Sequence, residues 1–251
     1  MSLADLFERI VIVSLPSRTD RRRDMGAQLK RAGIPLQPGR VEFFDAIRPE
    51  SAAGFPSIGA RGCFLSHQTL LSQARDDRLA NLLVIEDDLS FTPRLLADQD
   101  AAIAPLRACS WDLAYLGYRI FDPPPGASPP RGATFVPYAG RIDQTHFYAI
   151  DGPLISRLVA VLDQIRNRPP GHPEGGPMHV DGAFNTFRRQ NPDVTTLIAL
   201  PELGVQRDSR SDIAAGKFFD RVPVLRDLAN MARSVRRSYQ GGRHRGEDGP
   251  V

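Results

Sequence analysis

The sequence predicts an α/β layered domain. Three observations carry that expectation. Short apolar, β-branched runs suit buried strands, amphipathic stretches between them suit helices, and one apolar run ends abruptly in acids. Ile10–Leu15 (IVIVSL) is the first strand, and Arg21–Ala32 follows with helical composition and stops at Gly33. Val41–Phe44 is a short second strand. Phe55–Gly62 reads as turn material, and Cys63–Ala74 as a helix. Leu82–Ile85 is a core strand running into Glu86, Asp87 and Asp88. Asp112–Gly117, His146–Ile150 and Thr195–Leu200 are further strands, and Pro153–Ile165 and Gly182–Arg189 are helices. The stretches 122–132 (DPPPGASPPRG) and 168–177 (RPPGHPEGGP) hold too much Pro and Gly for either element. They are loops that either border a site or simply connect elements across the surface.

Composition narrows the class. At 251 residues, 41% hydrophobic and 24% charged, the chain can bury a core, so disorder is not expected. It has no apolar run of about 18 residues for a membrane span, and MSLADLFERI lacks the basic start of a secretory signal. Cys63 and Cys109, the two cysteines, are too few for a disulfide framework or a zinc cluster, so neither is expected and a reduced, cytoplasmic setting is. The net charge of +3 is concentrated at one end. Residues 221–251 hold seven arginines against three acids, a net of +4 that leaves −1 on the other 220 residues. A nucleic-acid partner is not expected, because a basic stripe over the folded face is missing.

Five segments carry candidate chemistry. Glu86-Asp87-Asp88 stands at the carboxyl edge of a strand, where open α/β sheets bind ligands. Three adjacent carboxylates repel one another, so a positive group belongs there, and Mg²⁺ or Mn²⁺ suits hard oxygen ligands. The bland alternative is a solvated acidic loop. VIEDD also resembles the first strand of response-regulator receivers. That reading fails, because about 80 ordered-looking residues precede the acids and no lysine follows until Lys217.

Ser14–Arg23 is the second segment, where arginines at a strand-to-helix turn either grip phosphate oxygens or face water while Asp20 caps the helix. In the third, Gly59–His67, His67 shares a helical face with Cys63, Leu70, Leu71 and Ala74. A satisfied, partly buried histidine is the plainer reading. Ser66 and His67 adjoin too closely for a hydrolase pair, and no G-x-S-x-G elbow occurs. The fourth is His179-Val-Asp181-Gly182, with Thr145-His146-Phe-Tyr148 upstream. Asp181 is either a helix cap or a base that takes a proton from an acceptor hydroxyl. The fifth, Gln206–Ile213, is polar and either returns to the same pocket or is a solvated loop.

In this order the pieces resemble glycosyltransferase family 25, the lipopolysaccharide-type enzymes that include galactosyltransferases and relatives of collagen galactosyltransferase. The matching segments are IVIVSLPSRTDRRRDM, FFDAI, RGCFLSH, LLVIEDDLSF, THFYAI, HVDGAF and the closing Gln206 and Ser211–Ile213, spread over about residues 9–213. The resemblance implies a GT-A type, Rossmann-like single domain over 1–213, with a mixed, mostly parallel central sheet flanked by helices. It also implies an inverting, metal-dependent transfer of a sugar, galactose or another hexose, from a UDP-sugar to a glycan or glycolipid hydroxyl. Asp88 would ligate Mn²⁺ or Mg²⁺ with Glu86 alongside. Leu15, Arg18, Arg22, Ser66, His67, Glu86, Asp87, Gln206, Ser211 and Asp212 would line the donor site. Asp181 would be the base, with His179 its competitor as base or third metal ligand. The two Pro-rich loops depart from the family pattern on the acceptor side.

Residues 214–251 read as a basic amphipathic helix and tail, with Val224, Leu225, Leu228, Met231, Ala232 and Val235 in one stripe and arginines off it. The stripe either packs on the domain or lies on anionic lipid, which would place the protein peripherally on the inner leaflet. The alternative function on the same fold is a non-catalytic nucleotide-sugar-binding or partner-binding module.

Overall fold

The computed structural model describes residues 2–124 and 132–207. In chain order the elements are α1 (Leu3–Leu6), β1 (Arg9–Ser14), α2 (Thr19–Arg31), β2 (Val41–Asp45), α3 (Ile58–Asp76), β3 (Asn81–Glu86), β4 (Leu89–Phe91), α4 (Pro93–Ala97), α5 (Gln99–Arg107), β5 (Leu113–Arg119), β6 (Thr134–Pro137), β7 (Asp143–Asp151), α6 (Gly152–Asn167), α7 (Val180–Gln190), β8 (Thr196–Leu200) and β9 (Gly204–Gln206). Seven strands form one sheet in the order β2-β1-β3-β7-β5-β8-β6. β2, β1, β3, β5 and β8 point one way, and β7 and β6 run against them. The sequence predicts the α/β layering, and the family resemblance implies the mixed, mostly parallel sheet found here.

Side chains alternate across the strands and build a core on each face. Val11, Val13, Leu82, Val84, Tyr115 and Tyr148 meet α3, α6 and α7 on one side. Ile10, Ile12, Leu83, Ile85, Phe147 and Ala149 meet α1, α2 and α5 on the other. Both faces of β1 and β3 are therefore covered, which is why their sequences are continuous apolar runs rather than alternating ones. The chain leaves β1 to one side for β2 and returns past it to β3 on the other side. The reversal opens a crevice between the carboxyl ends of β1 and β3, where Val13 pairs with Glu86.

Of the turn material expected at residues 55–62, 55–57 is non-helical and 58–62 is instead the start of α3. Ser57 caps that helix, its Oγ accepting the Ala60 N–H at 3.0 Å. Gly62, the last residue of that stretch, packs closely inside the helix: a Cβ there would lie 2.6 Å from the Ile47 carbonyl oxygen. The stretch 168–177 is a loop as expected, and it leads into α7. Residues 125–131 of the other Pro-rich stretch, the expected donor residues Ser211 and Asp212, and the 214–251 tail lie outside the described residues. No helix among the described residues is long and apolar enough to cross a membrane.

Candidate active site

The strand-end acids are held from several elements. Asp87 is buried and accepts the Ser14 hydroxyl at 2.6 Å and Arg21 Nη1 at 2.9 Å. The same Arg21 nitrogen reaches Asp88 Oδ2 at 3.2 Å. Arg21 stands one turn into α2, and β1 delivers that helix directly over the end of β3. The positive group that three neighbouring acids require is thus partly supplied by a guanidinium from the chain itself.

β9 pairs with β4 so that Leu89 faces Gln206. This register sets the Gln206 amide nitrogen 3.4 Å from both Asp88 oxygens. Arg207, one residue on, donates to the Asp87 carbonyl at 2.8 Å and lies 3.6 Å from Asp24. Gln206 and Arg207, the described part of the polar segment 206–213, therefore lie against the acids. Gly117 on β5 underlies this arrangement: a Cβ there would meet the Gly204 carbonyl and lie 2.6 Å from His146 Nε2.

The acids differ in their proton affinity. Asp88 is pushed up to about 6, first by burial and then by the charge of Glu86, with Arg21 pulling the other way. Burial also pushes Glu86 up. The imidazoles of His67 and His146 and the Thr145 hydroxyl outweigh it, and its carboxyl ends below the ordinary range. Asp88 is therefore an anion with too little compensation, and Glu86 stays ionised. A hard divalent cation fits this pair, because it would relieve the repulsion that raises Asp88.

A second group of side chains surrounds Glu86. His67 is wholly buried, not partly, and only half satisfied. Its Nδ1 lies 3.0 Å from the Tyr148 hydroxyl, while its Nε2 is 3.4 Å from Glu86 Oε1 without a hydrogen bond. Cys63, one helical turn before His67, completes a group whose ligand atoms all lie within 4.8 Å of one another. A count of two cysteines led to the expectation of no zinc cluster, but that count leaves out other ligand types. The fold nonetheless supplies a histidine and a glutamate to one of them.

The other candidates are placed as follows. Arg18 occupies the cap position of α2 and pairs with Asp20 at 3.1 Å, while the half-buried Leu15 accepts the Arg18 N–H through its carbonyl at 3.0 Å. Arg22 donates to the Ser14 carbonyl at 2.8 Å and to Asp45 at 2.5 Å, with its guanidinium over the Phe43 ring. Ser66 spends its hydroxyl on backbone, accepting the Ile47 N–H and donating to the Gly62 carbonyl. Asp181 is not the cap of α7. That position belongs to His179, which is exposed and makes no side-chain cap bond. Asp181 accepts the N–H groups of Gly182 at 2.7 Å and Gln144 at 3.1 Å. Its charge acts with those of Glu86 and Asp88 on the Cys63 thiol, which burial first of all pushes up.

Arg21 and Arg207 lie in two of the candidate segments, but neither is among the expected donor-site residues. Arg21 sits among three consecutive arginines, and only its angular position on α2 separates it from its neighbours. A groove of about 500 Å³ runs between α3 and the β1–β2 edge, lined by Phe44, Asp45, Ile47, Thr69 and Gln73 among others. None of the strand-end acids lines it.

The arrangement defines an α/β protein with an acid-and-arginine site at the switch between its parallel strands. Residues 7–112 match the family described as glycosyltransferase family 25 (LPS biosynthesis protein). The human "Inactive glycosyltransferase 25 family member 3" is 28% identical over 142 residues, covering 47% of this chain and 23% of that protein. The "Lacto-N-neotetraose biosynthesis glycosyltransferase LgtB" of Neisseria meningitidis serogroup B is 34% identical over 92 residues, 31% of this chain and 32% of that one. These matches span a third or less of each relative's length. A solved glycosyltransferase involved in glycosylating the major capsid of PBCV-1 superposes with a TM-score of 0.48 at 11% identity, over 81% of this chain and 93% of the other.

Proposed function

We propose that the protein is a metal-dependent, inverting glycosyltransferase of GT-A type that moves a hexose, galactose foremost, from a UDP-sugar to a hydroxyl of a glycan or glycolipid. The observation that carries this reading is Asp88, a buried carboxylate raised to about 6 at the carboxyl end of β3. Such a group is poised for a cation and a diphosphate rather than for stability. Asp88 and Glu86 would hold Mn²⁺ or Mg²⁺, which when bound supplies neutralisation of the charge that develops on the leaving diphosphate.

The chain's own residues do the rest. Arg21 and Arg207 lie beside the acids and offer fork-shaped donors to phosphate oxygens. Asp87 anchors Arg21 and Ser14, and Gln206 orients Asp88. Leu15, Arg18, Arg22, Ser66 and His67 shape the donor side from β1, α2 and α3, and Ser211 and Asp212 would close it. Inversion requires a base opposite the departing diphosphate. Asp181 takes that role, with both oxygens oriented by backbone N–H groups, and accepts the proton of the acceptor hydroxyl as it attacks. His179, exposed at the same helix start, is the competing base or a further metal ligand. The protein works in the cytoplasm, with residues 221–251 touching the anionic inner leaflet where a lipid-linked acceptor would lie.

The test is UDP release from a panel of UDP-sugars, with and without Mn²⁺, by the wild type and Asp88→Asn. Metal-dependent release from one donor, absent in the variant, supports the reading. Free phosphate release from simple esters would instead mark a phosphohydrolase. A second reading, a non-catalytic binding module, draws on Arg21, whose guanidinium already spans Asp87 and Asp88. It also draws on the human relative named inactive. Metal-dependent UDP binding with no turnover on any donor and acceptor pair would favour it.

A further inference from the structure

We propose that Cys63, His67 and Glu86 form a second cation site, selective for a thiophilic divalent ion of the Zn²⁺ kind and sharing Glu86 with the hard-metal position at Asp88. Cys63 and His67 stand one turn apart on α3, so their side chains leave the same face, and β3 carries Glu86 up to that face. The three ligand atoms converge within 4.8 Å.

The geometry favours an ion over mutual hydrogen bonding. His67 is 0% exposed, and its Nε2 is a buried nitrogen without a hydrogen-bond partner. It lies 3.4 Å from Glu86 Oε1. Two metal–ligand bonds of about 2.0–2.2 Å at the tetrahedral angle span about 3.4 Å. The imidazole is already oriented for ligation. Nδ1 faces the Tyr148 hydroxyl at 3.0 Å, an outer partner able to accept the Nδ1–H and so leave Nε2 as the ligating nitrogen. The Thr145 hydroxyl, 3.5 Å from Glu86 Oε1, plays the same part for the carboxylate. One sulfur, one imidazole and one carboxylate leave a fourth position open. A thiolate and an imidazole select Zn²⁺ over Mg²⁺ or Mn²⁺.

Binding displaces the Cys63 proton to solvent, so affinity rises with pH as the thiol is deprotonated. One consequence rests on the donor-site reading, whereas the binding itself does not. Glu86 cannot serve both sites fully, so Zn²⁺ bound here antagonises Mn²⁺-dependent transfer.

The experiment uses the full chain stripped of metal by a chelator and titrated with Co²⁺ and with Zn²⁺. The expected result is one Zn²⁺ per chain and a thiolate-to-cobalt charge-transfer band. Cys63→Ser should abolish the band, and His67→Gln should weaken binding by at least about tenfold. Cys109→Ser and Asp88→Asn should retain the band. A wild type without the band, or a band that survives in Cys63→Ser, overturns the proposal. X-ray absorption of the Zn²⁺-loaded wild type needs no variant. One sulfur at about 2.3 Å beside nitrogen and oxygen ligands supports the site, and a shell of nitrogen and oxygen alone refutes it. Should the band appear in a protein that shows no UDP release, this site stands and the donor-site reading is what fails.

Discussion

Replacing Asp88 by Asn should make the protein more stable at neutral pH, because this carboxylate is placed against the interest of the fold. The move from 3.8 to about 6 corresponds to about 3 kcal/mol against the anion, at about 1.36 kcal/mol per tenfold change in proton affinity. Below 3.8 the folded and unfolded states both hold the proton, and the group contributes nothing. Between 3.8 and about 6 only the folded state holds it. Above about 6 neither does, and the full penalty stands, so this group makes the fold less stable as pH rises through that window. Asparagine imitates the protonated acid at every pH. Its amide is a poorer acceptor for Arg21 and Gln206, which takes back about 1 kcal/mol. The net gain at pH 7.5 is about 2 kcal/mol, or roughly 4–8 °C in Tm for a domain of this size. At pH 4 the gain should vanish. Thermal unfolding of both proteins across that range, with and without Mn²⁺, is the assay. Mn²⁺ should raise the Tm of the wild type and leave the variant unmoved. A variant less stable than the wild type at pH 7.5, or a difference that is equal at both pH values, would refute the reasoning.

Further substitutions separate structure from chemistry. Arg21→Ala strips Asp87 and Asp88 of their common partner and should cost about 3 kcal/mol by denaturant titration, the lower end of the range for breaking a buried pair. Asp181→Asn should lower kcat of transfer by about 10²-fold or more with little change in donor KM, as loss of a general base requires. Ser66→Ala leaves the Ile47 N–H without its acceptor and should cost about 1–2 kcal/mol, read as a lower denaturant midpoint. Gly117→Ala forces a methyl against Gly204 and His146 and should cost about 1–3 kcal/mol. By shifting β9 it should also weaken Mn²⁺ binding, measured by calorimetry.

What was legible in the sequence follows from how strongly each segment is determined locally. β1 and β3 are covered on both faces, so each reads as an unbroken apolar run and is found within a residue or so of its observed ends. α6 shows its periodicity equally plainly, with Leu154, Ile155, Leu158, Val159 and Leu162 buried in step. β4 and β9 are three residues each and exist through their pairing with one another, so no local pattern announces them. α5 carries Pro105 inside the helix, a residue that argues against helix on sequence grounds. β6 follows directly on the Pro-rich stretch that dominates its neighbourhood.

The candidate site divides in the same way. Glu86, Asp87 and Asp88 were legible because a strand that stops in acids is rare, and Gln206 because a polar segment follows a strand at the right place. Arg21 was not, since three arginines in a row look alike until the helix assigns them faces. The meeting of Cys63 and His67 with Glu86 was legible only in part, because their shared face is a matter of helical spacing whereas β3 arrives from elsewhere in the chain.

The measurement that tests the central claim most directly is calorimetry of UDP binding to the full chain with and without Mn²⁺, for the wild type and Asp88→Asn. The strand-end acids are taken to hold a cation that in turn holds a diphosphate. UDP should therefore bind the wild type only when Mn²⁺ is present, and Asp88→Asn should remove that dependence together with the binding. UDP binding of equal strength with and without Mn²⁺, or binding unaffected in the variant, would contradict the account.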